Sequence, residues 1–444
     1  MTMNRISRRQ FIKTSVILST AVAGPFFLTG CAVDPVTGKQ QLMMVSQQQE
    51  IGIDQQQSPF QFSSDYGVTT DANINQYVTT VGKRLLPTVH RPDMPYNFQC
   101  VNATYINAYA FPGGTIAVTR GILLKLENEA ELASLLGHEL GHINARHTAE
   151  QVSKGQLSSL FVAGLSILAS SQSSGLGDLT QQLGSLGQGL FLSKYSRDNE
   201  READSLGNEY MVKAGYPSKG FVGLMEMLNS MHKEQPSTAQ ILFSTHPMST
   251  ERLTAAVQRE QGIYMNSNNL SLNRERYMDS ISSLRAQKEG IQLLQEGEEH
   301  LAKKEYDNAQ DVFKQSLHKL KTDYTAHVLM SKCLMLKKEP AQALLYADMA
   351  KKLYPTEVQG YYLAAMANNE LKKYDSAYQN FDKCDQLLPG NPQMTFYKGY
   401  CLDKKGDNQP AANNYITYLK MVNYQPSEYS NYAYNRLKQW GYAK

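Results

Sequence analysis

Apolar positions give the first map of this chain. Ile74, Tyr77, Val78, Val81 and Leu85 recur at the three- and four-residue spacing of a helix face. Tyr96 to Asn102 alternates like a strand, and Thr115 to Thr119 is a short β-prone run. Between them, Asn107 to Gly114 ends on Pro112-Gly113-Gly114, a turn signal. Leu132, Leu135, Leu136, Leu140 and Ile143 then mark the buried side of one long helix, expected from about Glu127 to Gln151. Further helices are expected over Arg197 to Ala214 and Pro217 to Met231. Residues 153–193 are rich in Ser, Gly, Gln and Leu, and their apolar centre, Leu157 to Ala169, is shorter than the ~20 residues a membrane span needs. That composition predicts an ordinary helix with a flexible loop, the alternative being a lid over a cleft.

The second half repeats. Ala309, Ala343, Ala377 and Ala411 are each 34 residues apart, and Phe313, Ala347, Phe381 and Tyr415 keep step with them. Pro355 and Pro389 share a phase, as do Tyr306 and Tyr374, and Gly297 and Gly399. This is the tetratricopeptide pattern, one helix pair per unit with small residues where helices cross. Stacked pairs make a curved solenoid suited to binding extended segments of other proteins. Binding, rather than chemistry, is the task expected of this half.

Length and charge narrow the classes. At 444 residues, two domains plus a targeting segment are expected. The net charge of +3 misleads, because Arg5, Arg8, Arg9 and Lys13 precede any acidic residue; without those four the 44 basic groups become 40, against 41 acidic. With no basic stripe in the remainder, a nucleic-acid binder is excluded. Ser7-Arg8-Arg9-Gln10-Phe11-Ile12-Lys13 followed by an apolar stretch from Val16 to Leu28 reads as a twin-arginine signal peptide. Leu28-Thr29-Gly30-Cys31 resembles a lipobox, so Cys31 is the expected lipidation site, holding the chain on a membrane with every domain in water. Ala32 after it resembles sorting to the outer membrane. Cys100, Cys333, Cys384 and Cys401 have no C-x-x-C spacing, and an oxidising compartment permits at most one bridge among the last three.

His138-Glu139-Leu140-Gly141-His142 carries the chemistry. On a helix, His138 and His142 project from one face and can share a zinc ion, while Glu139 sits beside them to work on water. A catalytic zinc needs a third protein ligand and an open position. Glu200, in Glu200-Arg201-Glu202-Ala203-Asp204, is the best candidate; Asp204 lies one turn on, so one of the two can bind metal while the other orients a ligand imidazole. A third histidine at the metzincin spacing is absent, since Thr148 stands there. His147, five residues beyond His142, lies about 140° round a continuous helix and is expected to face away.

The pentads at His138 and Glu200, with Thr245-His246-Pro247 and Arg252, resemble the zinc peptidases that include the CAAX prenyl proteases and the HtpX heat-shock protease. Joined to repeats behind a signal peptide, they are similar to the periplasmic β-barrel assembly-enhancing proteases of that family. The resemblance implies that His138, His142 and Glu200 bind one Zn2+, that Glu139 is the base, and that Asp204 supports the metal shell. It places His246 and Arg252 at the active site, where either could stabilise the oxyanion and His246 could serve as a reversible fourth ligand. It also implies that Asn107, Ala108, Tyr109, Ala110, Phe111, Pro112, Gly113 and Gly114 form the edge that aligns substrate.

The expected fold class is mainly α with a small β-sheet, a zincin-like metallopeptidase domain followed by an α-α tetratricopeptide solenoid. The expected division is a signal peptide at 1–30, a tether at 31–70, a peptidase domain at 71–265, a linker helix at 266–289 and about four repeats at 290–444. The function this implies is cleavage of unfolded or misassembled envelope proteins, with the repeats gripping clients or the outer-membrane assembly machinery. The rivals are a chaperone-like assembly factor and a tethering lipoprotein. With ligands, base and substrate edge all upstream, a chain ending near Arg285 is expected to keep cleaving short peptides while cleavage of a native envelope client falls steeply.

Overall fold

The structure, a computed structural model, describes residues 31–33, 35–38, 40–153 and 194–443. The signal peptide expected over 1–30 and the loop or lid expected over 153–193 fall outside the described residues, apart from Ser153. A hairpin of β1 (Cys31–Val33) and β2 (Gln40–Leu42) leads into α1 (Gln47–Ser64) and α2 (Ala72–Leu85). Three strands follow: β3 (Asn97–Val101), β4 (Ala108–Ala110) and β5 (Thr115–Thr119). Their order is β3-β5-β4, with β3 parallel to β5 and β4 antiparallel to it on the other side, Tyr109 facing Ala117. A turn of helix, α3 (Arg120–Leu123), leads from the sheet to α4 (Glu129–Asn144), all of whose residues are buried.

The long helix expected to Gln151 is broken. Arg146 adopts the left-handed conformation at φ 57°, and α5 (His147–Ser153) starts a new direction. The break is held by Arg146, which donates to Glu50 from Nε at 3.1 Å and to the Val45 carbonyl from Nη2. Arg91 binds the same buried Glu50 at 2.7 Å and donates to the Ile143 carbonyl, so one carboxylate on α1 ties down the end of α4. Next come α6 (Arg197–Lys213), α7 (Lys219–Glu234), α8 (Gln240–Thr245) and α9 (Thr250–Gln261). Segment 266–289 is not one continuous helix: after a 3-10 turn over Met265–Asn269 it holds α10 (Arg274–Ser280) and α11 (Ser282–Ala286), with Tyr277 and Ile281 fully buried against the first half.

Four antiparallel helix pairs then stack: α12 (Lys288–Ala302) with α13 (Tyr306–Lys319), α14 (Tyr324–Leu336) with α15 (Pro340–Leu353), α16 (Val358–Glu370) with α17 (Tyr374–Leu387), and α18 (Pro392–Lys405) with α19 (Asn408–Met421). A last helix, α20 (Glu428–Gln439), covers the end of the stack. Ala309, Ala343, Ala377 and Ala411 are each fully buried where paired helices cross, as the 34-residue period requires. The turn inside each pair carries a left-handed residue in the same phase, Lys304, Lys338, Lys372 and Gly406. Cys100, Cys333, Cys384 and Cys401 are all buried free thiols. Among the described residues no helix is long and apolar enough to cross a membrane.

The two halves share one continuous apolar core running from Tyr66 through Tyr277 and Ile291 to Leu437. Polar contacts reinforce the seam. Arg120 pairs with Asp323, the N-cap of α14. Ser63 donates to Glu357 at 2.7 Å, and Gln359 donates to the carbonyls of Ser63 and Ser64. Burial lifts the carboxyl of Glu357 to about 7 and that of Asp65 to about 6, because the charged forms lose hydration there. The fold therefore holds these protons more tightly than the unfolded chain, whose values are 4.5 and 3.8. Their contribution to stability is complete below those values and is lost as pH rises through about 6 and 7. The melting temperature of Glu357→Gln should accordingly fall less than that of the unsubstituted chain between pH 5 and 8. Parallel curves would show that this seam does not titrate.

Candidate metal centre

Two helices carry the candidate ligands, and each has a built start. Asn128 caps α4 by accepting from the Glu131 amide, with Glu129 and Glu131 in the first turn. Ser196 and Asn199 form a capping box on α6, which leaves Glu200 in its first turn. The helices cross on bare main chain. A Cβ on Gly137 would lie 2.8 Å from the Gly207 carbonyl oxygen, one on Gly141 2.8 Å from that of Ala203, and one on Gly207 2.6 Å from the His138 nitrogen. Glycine at 137, 141 and 207 is thus the condition for bringing Glu200 against the histidines.

At the crossing, four donors converge. His138, His142, Glu200 and His246 each offer a ligand atom, all within 4.8 Å of one another and all on buried residues. Nε2 of His142 lies 3.0 Å from Nε2 of His138 and 3.3 Å from Oε1 of Glu200. Nδ1 of His246 lies 3.4 Å from Nε2 of His138 and 3.1 Å from Oε1 of Glu200. Ligands about 2.0–2.1 Å from a tetrahedral zinc are roughly 3.3 Å apart, so the donor set fits such an ion. Charge fits as well: the carboxylates of Glu200 and Asp204 share one guanidinium, Arg252, which leaves net negative charge beside the donors.

The surrounding shell fixes the rings. Nδ1 of His138 is 3.0 Å from Oδ1 of Asp204, which leaves Nε2 to face the donor cluster. Asp204 is gripped by Arg252 through Nε and Nη2, both at 2.7 Å, and Nη1 of Arg252 reaches Glu200 at 2.6 Å and the Pro247 carbonyl at 3.1 Å. Nδ1 of His142 lies 2.9 Å from Nδ1 of His147, whose Nε2 is 3.2 Å from Glu202. His147 therefore faces the site, correcting the expectation that it faces away. The 140° figure assumed a continuous helix, and the turn at Arg146 reverses the direction.

Electrostatics separate the carboxyls. Burial alone would raise Glu200, yet Arg252, His246 and His142 hold it well below the usual carboxylate range. Asp204 is likewise depressed against its burial, chiefly by Arg252. Glu139 goes the other way: burial raises it, with His246 and His138 pulling against that rise, and its Oε2 is buried without a hydrogen-bond partner. The aromatic ring of Tyr195 stacks on His142, centroids 3.7 Å apart and planes at 21°, and its amide donates to the Thr245 carbonyl next to His246. Sequence reasoning missed Tyr195, which carries no motif and precedes the Ser196 cap of α6 by one residue.

The segment 107–114 holds the sheet's outer strand, β4, and the turn that follows it. Asn107 pairs with Thr119 and Phe111 with Thr115 through main-chain bonds to β5. Alternation then directs the amides and carbonyls of Ala108 and Ala110 away from β5. All eight residues, Asn107, Ala108, Tyr109, Ala110, Phe111, Pro112, Gly113 and Gly114, are buried, and both polar atoms of the Asn107 side chain lack a protein partner.

Residues 72–260 match the model of Peptidase family M48. This segment is an M48 peptidase domain. The M48 domain holds every donor described above. A β-barrel assembly-enhancing protease of Yersinia pestis is 30% identical over 194 residues, 43% of this chain and 39% of that protein. Metalloprotease YcaL of Escherichia coli is 32% identical over 158 residues, 36% of this chain and 59% of its own length. The chain thus spans about two fifths of the length of the assembly-enhancing proteases it matches. The solved structure of the TPR protein YrrB covers 46% of this chain and 96% of its own at 15% identity and a TM-score of 0.31, a likeness that adds nothing to the helix pairs described above.

Proposed function

We propose that this chain is a zinc-dependent endopeptidase of the bacterial envelope that hydrolyses unfolded or misassembled envelope proteins, its repeats binding clients or the outer-membrane assembly machinery. The observation that carries the reading is the donor cluster of His138, His142 and Glu200 with the unpartnered Oε2 of Glu139 beside it, inside an M48 domain. A structural zinc would be closed by cysteines and histidines and would have no use for a free buried carboxyl.

When bound, the metal would supply Lewis acidity and lower the pKa of water toward about 7. The chain does the rest. Glu139 takes the proton of the attacking water at Oε2 and returns it to the leaving amine, a role suited to a carboxyl whose pKa burial has raised. Asp204 holds the His138 ring, and Arg252 holds Asp204 and Glu200. Ala108 and Ala110 offer outward backbone groups that can extend the sheet by one strand of substrate, with Asn107 as a side-chain anchor. Beside Glu139 and His246, the side chains of Leu135, Leu224, Met225, Leu242 and Met248 form an apolar wall that shields the site from water.

A fourth donor, His246, stands within reach of the same position, and we read it as a reversible ligand that holds the site shut. His246→Ala should raise turnover of a short peptide several-fold with zinc retained by the remaining donors. A fall in turnover would make His246 a transition-state donor instead. For location, Cys31 is the proposed anchor, and Cys31→Ser should shift the chain from the membrane fraction to the soluble periplasm. The deciding test of function is casein digestion by purified protein with a chelator and after zinc is restored. Digestion that ignores the chelator, or none by the zinc-loaded parent and the zinc-loaded His246→Ala chain alike, would defeat the reading.

A further inference from the structure

β4 has three residues and main-chain partners on one side only, a combination that by itself leaves a strand loosely placed. Its position comes from elsewhere. The hydroxyl of Tyr109, at the centre of β4, donates to Oδ2 of Asp65 at 2.5 Å, and Tyr105, just before the strand, donates to Oδ1 at 2.7 Å. Asp65 is the C-cap of α1 and is buried, also accepting from Gln61 at 3.0 Å.

The residues flanking Asp65 belong to the grip of the repeats. Tyr66, in the left-handed conformation at φ 64°, donates from its hydroxyl to Glu298 on α12 at 2.8 Å, and the ammonium of Lys332 on α14 lies over its ring, 5.0 Å from the centroid. Gly67, at φ 80°, has no room for a Cβ, which would lie 2.8 Å from the ring of Tyr354. The chain entering β4 is held from the same side. Thr104 donates from its hydroxyl to Glu298, its carbonyl accepts from Gln295 at 2.6 Å, and Thr325 reaches the Asn102 carbonyl at 3.4 Å. On the far side of the strand pair, Arg120 follows β5 directly and pairs with Asp323.

From this arrangement we infer that the first repeats position the substrate-aligning strand, with Glu298 bracing the approach to β4 and Asp65 fixing Tyr109 within it. The inference rests on the reading of β4 as the substrate edge. Tyr109, Asp65 and Glu298 are positioning residues: none is in the donor cluster. Glu298 stands in the repeats, more than 150 residues from Glu139 along the chain, yet it reaches the strand through a single hydroxyl on each of Tyr66 and Thr104.

The test uses the full-length, zinc-loaded chain. Tyr109→Phe removes one hydroxyl and keeps the ring; Glu298→Ala removes both acceptors from the repeat side. Hydrogen–deuterium exchange should rise at least tenfold for the bonded amides of Ile106, Asn107, Tyr109 and Phe111 in Glu298→Ala, with exchange in α4 unchanged. On a short peptide, Tyr109→Phe should raise KM about fivefold or more with kcat within twofold of the parent. Unaltered exchange over 106–111 would overturn the brace whatever the enzyme does. A parent that cleaves while Tyr109→Phe keeps its KM would overturn the alignment role and leave the peptidase reading intact. A parent and a His246→Ala chain that both cleave nothing, together with raised exchange in Glu298→Ala, would defeat the peptidase reading while upholding the brace. Rescue of exchange by Glu298→Gln, which retains an acceptor, distinguishes a lost hydrogen bond from general loosening.

Discussion

Glu139→Gln should abolish peptide hydrolysis while the purified protein keeps its full zinc content. The substitution preserves shape in a fully packed place, since Glu139 is 1% exposed. It takes no ligand from the donor cluster of His138, His142, Glu200 and His246. What it removes is the capacity to accept a proton, and a positioned acid–base group contributes roughly 10²–10⁴-fold to rate. Turnover should fall by at least the lower figure. Folding should not suffer, because an amide in place of a carboxyl whose ionisation burial already opposes costs nothing in hydration. Glu200→Gln is the contrast: it weakens a ligand and leaves Arg252 facing one charge fewer, so zinc should be lost along with activity. Peptide turnover and elemental analysis on the same preparations decide the matter. Equal turnover by Glu139→Gln and the parent would remove Glu139 from the mechanism.

Ending the chain after Arg285 should destroy cleavage of short peptides as well as of folded clients. Independence of the halves predicts the opposite, through loss of effective concentration alone. The seam argues against independence. Truncation strips Asp323 from Arg120, and leaving a buried charge without its partner costs about 3–5 kcal/mol. It also uncovers Tyr66 and Thr104 and removes Ile291 and Leu294 from a core they share with Tyr277 and Leu284. Against a total stability of about 5–15 kcal/mol for a domain, that is enough to unfold it or to release β4. Circular dichroism, zinc content and peptide turnover of the truncated chain report the outcome. A folded, zinc-loaded and fully active fragment would make the repeats a client-gripping arm and nothing more.

Much of this was legible in the sequence, for physical reasons that also explain the gaps. The repeats were readable because Ala309 and its three counterparts must be small wherever paired helices cross, and a requirement repeated every 34 residues survives as a pattern. The pairing of His138 with His142 was readable because helix geometry alone puts them on one face. His147 was misplaced because the break at Arg146 depends on Glu50 and the Val45 carbonyl, contacts about a hundred residues away that no local window contains. Tyr195 gave no signal because stacking on a histidine needs only a flat ring in the right place. The glycines at 137, 141 and 207 were visible as letters. Their meaning lay in a partner helix whose approach cannot be read from one strand of sequence. The seam between halves was hidden for the same reason, since Tyr66 and Glu298 are ordinary residues until they meet.

The main-chain contact between α4 and α6 sets where the site can and cannot move. Helices that meet through side chains can slide by changing rotamers, and a shift of a fraction of an ångström is absorbed in that soft layer. Gly137, Gly141 and Gly207 leave no such layer, so His138, His142 and Glu200 ride on a rigid block with a fixed pitch. His246 and Arg252 enter instead from the C-terminus of α8 and the first turn of α9, a short corner attached to the block from outside. Among the described residues, that corner is therefore where a change can open or shut the donor set without disturbing the block, as a latch acts on a door whose frame does not bend.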